Sequence, residues 1–197
     1  MPRHDVSVER KEQIIQAAVR VFSRKGIEAA RMEEIASEAR LSIGGVYWYY
    51  RSKEEVLLAV TNWLLEEDRR LIEKMTGSQG TVKERLLVYI DGYVEVFEQN
   101  QRLLDELFAL ASQNPEIQRC LQADYLSFQE ALVNLIGQGR ERGELKSVDA
   151  STLALTVLAL HAGMFDLAMI DPQIAVKQEL RSAYEILFAG LEEKQKK

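Results

Sequence analysis

Apolar residues recur at three- and four-residue intervals along nearly the whole chain, and no stretch shows the strict alternation of a half-buried strand. Ile14, Ala18, Val21 and Phe22 share one face of a helix that Ser7 can cap and that Gly26 stops after Lys25. Met32 to Ala39 predicts a short second helix, with Ile35, Ala36 and Ala39 facing inward. A tight turn through Arg40 and Leu41 leads to a third helix opening at Ser42, whose inward residues Val46 and Tyr50 lie one turn apart. These two short helices and a third start at Ser52, following one another without spare residues, predict a helix-turn-helix. Its outward face is Ile43, Gly44, Tyr47 and Trp48, with Gly45 beside them. Two glycines in so short a helix cost about 1 kcal/mol each relative to alanine, which suggests that something approaches this helix's backbone closely, a phosphate-lined groove being a good candidate.

Ser52 and Glu55 form a capping box opening a helix from Lys53 to about Met75, which the loop Gly77-Ser78-Gln79-Gly80 ends. Thr81 and Glu84 repeat the device for a helix carrying Leu86, Ile90, Tyr93, Val94 and Phe97, which resumes from Leu103 to Ser112. Asn114 caps and Pro115 begins a helix lasting to about Arg142, with Gly143 as its stop. Ala150 to Ile170 is apolar nearly all round, so burial on more than one side is expected. Asp171-Pro172 reads as another cap-and-proline start. The last helix places Leu180, Ala183, Tyr184, Leu187, Phe188 and Leu191 on one stripe, and Glu192 to Lys197 reads as a frayed tail. The expected fold class is all-α.

Among 197 residues, 47% hydrophobic content can fill a core, and the net charge of −6 looks wrong for a nucleic-acid binder until it is divided. Residues 1 to 53 hold 10 Lys and Arg against 7 Asp and Glu, and the remainder holds 15 against 24. An acidic remainder repels phosphate, so DNA should meet only the N-terminal end. The single Cys120 excludes an intrachain disulfide and suits a reducing cytoplasm. Met1 to Arg10 is polar and charged, unlike a secretory leader. Ala150 to Ile170 approaches bilayer-spanning length, but His161 and Asp166 within it favour a buried helix and no membrane partner.

The pattern Phe22, Gly26, Ile35-Ala36, Ala39, Ser42, Gly44, Val46-Tyr47, Tyr50 and Ser52-Lys53-Glu54-Glu55 resembles the DNA-binding domain of the tetracycline-repressor (TetR/AcrR-type) transcriptional regulators. The signature covers roughly the first quarter of the chain; the rest is similar only in its helical layout and length. Three positions depart from the family pattern: Ala30-Arg31 replaces a capping Thr or Ser, Arg40 replaces a turn glycine, and Ile43 and Gly45 replace residues that are often polar. The resemblance implies a DNA-binding domain at 1-52 and a helical effector-binding and dimerisation domain at 53-197. It also implies that Ser42, Ile43, Gly44, Gly45, Tyr47, Trp48, Tyr49 and Lys53 meet a palindromic operator, with Tyr47 and Lys53 on phosphates. A homodimer is expected through Leu180, Tyr184, Leu187, Phe188 and Leu191.

No cluster of His, Cys and carboxylates stands at ligand or triad spacing, so neither a metal, a cofactor nor an enzymatic function is expected. Trp63, Tyr89, Tyr93, Phe97, Phe108, Tyr125, Phe128, His161 and Phe165 supply flat apolar surface with a few polar tips. Singly each reads best as core; together, with Asp124 and Asp166 nearby in sequence, they suggest a cavity for a small aromatic or apolar effector, neutral or cationic. The expected function is a ligand-responsive regulator, most often a repressor. Two alternatives stay open: control by a protein partner, and a helical binding or enzymatic bundle with a coincidental motif.

Overall fold

The computed structural model describes residues 3 to 191, and side chains from residue 7. Among the described residues there are eight helices: α1 (Arg3–Lys25), α2 (Met32–Glu38), α3 (Ile43–Tyr49), α4 (Lys53–Gly77), α5 (Val82–Ala111), α6 (Pro115–Glu141), α7 (Ala150–Ile170) and α8 (Val176–Leu191). There is no strand among the described residues. The tail 192 to 197 lies outside them.

Helix ends follow the local chemistry. Ser42 Oγ accepts from Gly45 N at 3.0 Å, Asn114 Oδ1 accepts from the amides of Glu116 and Ile117, and Thr81 and Glu84 satisfy each other's amides. Glu55 N donates to Ser52 Oγ at 3.3 Å, while the Glu55 carboxylate reaches back to Arg51 N instead. Buried Arg85 ends α4 by donating to the carbonyls of Met75 and Thr76. Two starts differ from expectation. α1 extends to Arg3, past Ser7, because nothing in that polar run breaks a helix. Asp171-Pro172 closes a turn, with Ile174 N donating to Asp171 O, and α8 begins only at Val176. The same residue pair serves a β-turn as well as a helix start.

The chain divides into two compact units, Met1–Glu67 with Phe97–Gln122, and Asp68–Val96 with Ala123–Lys197. The boundary expected at residue 52 thus falls inside the first unit, to which α4, α5 and α6 each contribute part of their length. That unit's core joins Ile14, Ala18, Phe22, Ile35 and Val46 to Val56, Val60, Leu103, Leu107 and Ile117. Burial of these side chains, Ala18 apart, stabilises the three-helix motif by about 1.5–3 kcal/mol each before entropy is counted.

In the second unit α7 packs on α8. Arg181 and Lys177 of α8 pair with Asp91 of α5, and Lys83 of α5 pairs with Glu185. Leu180, Tyr184 and Phe188 are buried at 1%, 0% and 0% exposure within their own chain, so they cannot form the interchain contact expected of them; Leu187 and Leu191 are half-buried. The docking of α8 consumes the stripe. α7 likewise buries one side only, Leu153, Ala154, Val157, His161 and Phe165, and leaves Leu155, Leu167 and Ile170 exposed. Phe188→Ala should therefore lower unfolding free energy by about 3–5 kcal/mol, measured by urea denaturation, whereas an interface residue would leave the isolated chain's stability nearly unchanged.

Candidate functional sites

The first site is the outward face of α3. Ile43, Tyr47 and Trp48 are 38%, 45% and 83% exposed, large apolar surfaces that the fold leaves uncovered. Ser42 is exposed, its hydroxyl engaged as the cap, and Tyr49 is half-buried against the core. A Cβ on Gly44 would meet nothing within 4 Å, so its backbone is open to whatever α3 approaches. Val46 and Tyr50 face inward, as their spacing predicts. Arg40, where the family pattern has glycine, takes the left-handed conformation at φ 54°, at a cost of about 1 kcal/mol.

Lys53 stands apart from its neighbours. Its ammonium donates to the carbonyls of Ile27, Glu28 and Ala30 at 2.9, 2.8 and 3.1 Å, so all three N–H bonds are taken by the turn between α1 and α2. Glu106 of α5 accepts the amide of Ile27 in the same turn, and Arg102 donates to the carbonyl of Arg24 at 2.9 Å. Gly26, at φ +88°, sits against these two side chains, where a Cβ would fall 2.7 Å from the Glu106 carboxylate. Arg20 and Arg24 pair with Glu38, and Lys25 with Glu34, so these basic residues of α1 also have acidic partners on α2. Glu34 further accepts from Arg31 N at 3.2 Å, supplying half of the capping box that the missing Ser or Thr would have completed.

The second site lies in the second unit. Tyr89 stacks on Phe128 at 4.3 Å between ring centroids, on Tyr93 at 5.4 Å and on His161 at 5.8 Å. Phe165 meets Tyr93 edge-on at 5.4 Å, and Tyr184 joins the group through a hydrogen bond with His161 Nε2. Five of the nine expected aromatic positions are thus brought together. Tyr125 is 43% exposed, and Trp63, Phe97 and Phe108 belong to the first unit, where Trp63 packs on the core, Phe97 is buried and Phe108 is 53% exposed.

Residue spacing had not singled out Asp68. It is 7% exposed, accepts from the Tyr89 hydroxyl at 2.8 Å, and lies within hydrogen-bonding reach of Asp124. It hides in the charge run Glu66-Glu67-Asp68-Arg69-Arg70, yet it falls on the buried stripe with Thr61, Leu65, Ile72 and Met75, which was the available signal. Burial raises both carboxyls above the ordinary range; Asp68 raises Asp124 further, whereas the hydrogen bonds from Tyr89 and Asp124 partly offset the rise at Asp68. Burial also lowers His161 to about 4, so its ring is neutral, and it raises the hydroxyls of Tyr89, Tyr93 and Tyr184. Asp166 is exposed and takes no part. Among the described residues no cluster of His, Cys and carboxylates could hold a metal.

Comparison with known proteins assigns these features a lineage. Residues 14–60 match the model of bacterial regulatory proteins of the tetR family. Over 166 residues the chain is 30% identical to the uncharacterized HTH-type transcriptional regulator YfiR of Bacillus subtilis (strain 168), covering 82% of this chain and 80% of that one. It is 25% identical over 169 residues to the nicotine-responsive transcriptional repressor HdnoR of Paenarthrobacter nicotinovorans, covering 84% and 87%. Among solved structures it resembles a transcriptional regulator from Saccharomonospora viridis in complex with choline, with TM-score 0.83 at 19% identity over 95% and 100% of the two chains.

The raised carboxyls carry a pH signature. A carboxyl whose folded pKa exceeds its unfolded one contributes most below the unfolded value and loses that contribution as pH rises through the folded value. Wild-type stability should fall as pH rises from about 4 toward neutrality through this pair, and Asp124→Asn should flatten that slope and raise the melting temperature at pH 8. Equal pH slopes for the two proteins in thermal melts would count against a shared, buried proton.

Proposed function

The chain belongs to the tetR family of bacterial regulatory proteins and is a DNA-binding transcriptional regulator; on that premise we propose a cytoplasmic homodimer that represses from a palindromic operator and is released by a small apolar or aromatic effector. Membership in such a family points to regulation and not to catalysis. The observation carrying the DNA half is the uncovered face of α3, where Ile43, Tyr47 and Trp48 are exposed and Gly44 opens the backbone. This face offers no Arg, Asn or Gln for bidentate base contacts. Ile43 and Trp48 instead suit thymine methyls, and Tyr47 suits a phosphate. Lys53, its N–H bonds taken up by the α1–α2 turn, acts here by holding α1 and α2 to α4.

A single motif of this size binds weakly, and two recognition helices about 34 Å apart read a palindrome far better. The apolar surface that this chain does not use, Leu155, Leu167 and Ile170 on α7 with Ile186 on α8, supports a twofold interface of four helices. The effector half draws support from the aromatic group around Tyr89, from a relative that is a nicotine-responsive repressor and from a protein of the same fold in complex with choline. α4 runs from Lys53 to Asp68 and beyond, and α5 carries Tyr89, Tyr93 and Glu106 on one helix. An effector that shifts either helix would therefore disturb the turn that positions α2 and α3.

Selection of bound DNA from a random pool should return a palindrome with thymines in each half-site. Tyr47→Ala should lower the salt slope of operator binding by about 1, whereas Lys53→Ala should lower the melting temperature and leave the slope unchanged. A slope lowered by Lys53→Ala would restore a phosphate contact to that residue. Ile186→Glu should yield folded monomers that no longer bind the operator; a dimer by ultracentrifugation would move the interface elsewhere.

A further inference from the structure

We propose that Arg40, in the turn between α2 and α3, is a phosphate anchor that grips the DNA backbone beside the groove α3 enters. The inference rests on the DNA half of the reading above and assigns the charge that holds the backbone there. α3 carries no charged residue, so it can meet base edges but cannot neutralise phosphate. That charge must come from beside it, and most of the nearby supply is committed: Lys53 to three carbonyls, Arg20 and Arg24 to Glu38, and Lys25 to Glu34. Arg40 is exposed, and its guanidinium has no acidic partner among the described residues. It stands two residues before Ser42, the N-cap of α3, at the end of that helix which presents Ile43 and Gly44.

Its backbone separates Arg40 from other exposed cations such as Lys11 and Arg51. α2 ends in paired hydrogen bonds, Leu41 N to the carbonyl of Ala36 at 2.9 Å and Arg40 N to that of Ser37 at 3.0 Å. This ending puts the residue at position 40 in the left-handed region, which glycine enters without strain. Arg40 occupies it at φ 54°, the one non-glycine residue at positive φ among the described residues. No bond of its side chain within the chain offsets that strain, so the fold alone gives no reason for an arginine. The turn is also fixed: Gln13 of α1 donates to the carbonyl of Ala39 at 2.6 Å and itself accepts from Arg10. A guanidinium carried on a fixed turn is delivered to one place, and its planar fork matches two phosphate oxygens. The glycine of the family pattern can make no such contact, so the anchor is particular to this chain.

The test measures the full chain by anisotropy on the selected operator duplex and on a random duplex across a salt series, beside thermal melts of the free protein. Arg40→Gly relieves the strain and removes the charge, so it should raise the melting temperature by about 2 °C or more. The same variant should weaken both duplexes on the order of tenfold at low salt and lower the salt slope by about 0.9 per bound chain. A more stable protein that holds DNA less well is the signature, because a purely structural arginine would lower the melting temperature when removed. Arg40→Lys should keep the wild-type slope, and Arg20→Ala, which removes a cation already paired, should leave it unchanged. An unaltered slope or a lower melting temperature in Arg40→Gly, or an equal loss of slope in Arg20→Ala, overturns the inference. So does a changed preference for operator over random duplex in Arg40→Gly, which would make Arg40 a reader of bases. If Tyr47→Ala and Trp48→Ala weaken operator binding while Arg40→Gly leaves the slope intact, the DNA reading stands and only the anchor falls. Failure of the wild type to bind any selected duplex removes both.

Discussion

The turn between α1 and α2 is the constraint on which the DNA-reading end depends. Its carbonyls at Ile27, Glu28 and Ala30 and its amide at Ile27 need partners, and these come from Lys53 at the start of α4 and Glu106 near the end of α5. An ammonium gathering three carbonyls and a carboxylate receiving an amide are charge-assisted bonds, stronger than neutral ones and demanding in geometry. Gly26 permits the close approach, since any Cβ there would strike the Glu106 carboxylate. The orientation of α2, and through it α3, is therefore set by two long helices rather than by the three-helix motif alone.

Those helices also carry Asp68, Tyr89 and Tyr93. The chemistry at the two ends differs in kind. At the turn, the Lys53 ammonium and the Glu106 carboxylate each have their partners, which makes a stiff mount. Around Tyr89 the rings are packed, but the adjoining acids are raised in pKa and one carboxylate oxygen is unmatched. Were the proposed effector to bind there, linkage would require only that the bound arrangement disfavour the operator: about 1.4 kcal/mol of coupling gives a tenfold loss of affinity.

Much of this was legible in the chain because short-range rules governed it. Ser42, Ser52, Thr81 and Asn114 have the local backbone that their side chains want, and the i, i+4 pair Val46 and Tyr50 faced inward as spacing requires. What escaped was decided by tertiary partners. Leu180, Tyr184 and Phe188 form an apolar stripe whether it meets its own chain or another, and periodicity cannot tell these apart. Trp63, Phe97 and Phe108 share helices with Asp68, Tyr89 and Tyr93 but lie beyond the length at which those helices enter the second unit. Asp68 looked solvated amid Glu66, Glu67, Arg69 and Arg70, and only its register with Leu65 and Ile72 betrayed burial. Lys53 looked free for phosphate because nothing in the sequence announces that a turn 25 residues earlier requires its three protons.

The central claim is that occupancy of the second unit and grip on DNA are coupled. The direct measurement is operator affinity, by fluorescence anisotropy on the selected palindrome, in the presence of compounds chosen only because they raise the melting temperature of the free protein. The account requires that stabilising compounds whose binding is lost in Phe128→Ala or Tyr93→Ala weaken operator affinity by about tenfold or more. If such compounds bind at that site and leave operator affinity unchanged, the coupling is absent and control by a protein partner becomes the better reading.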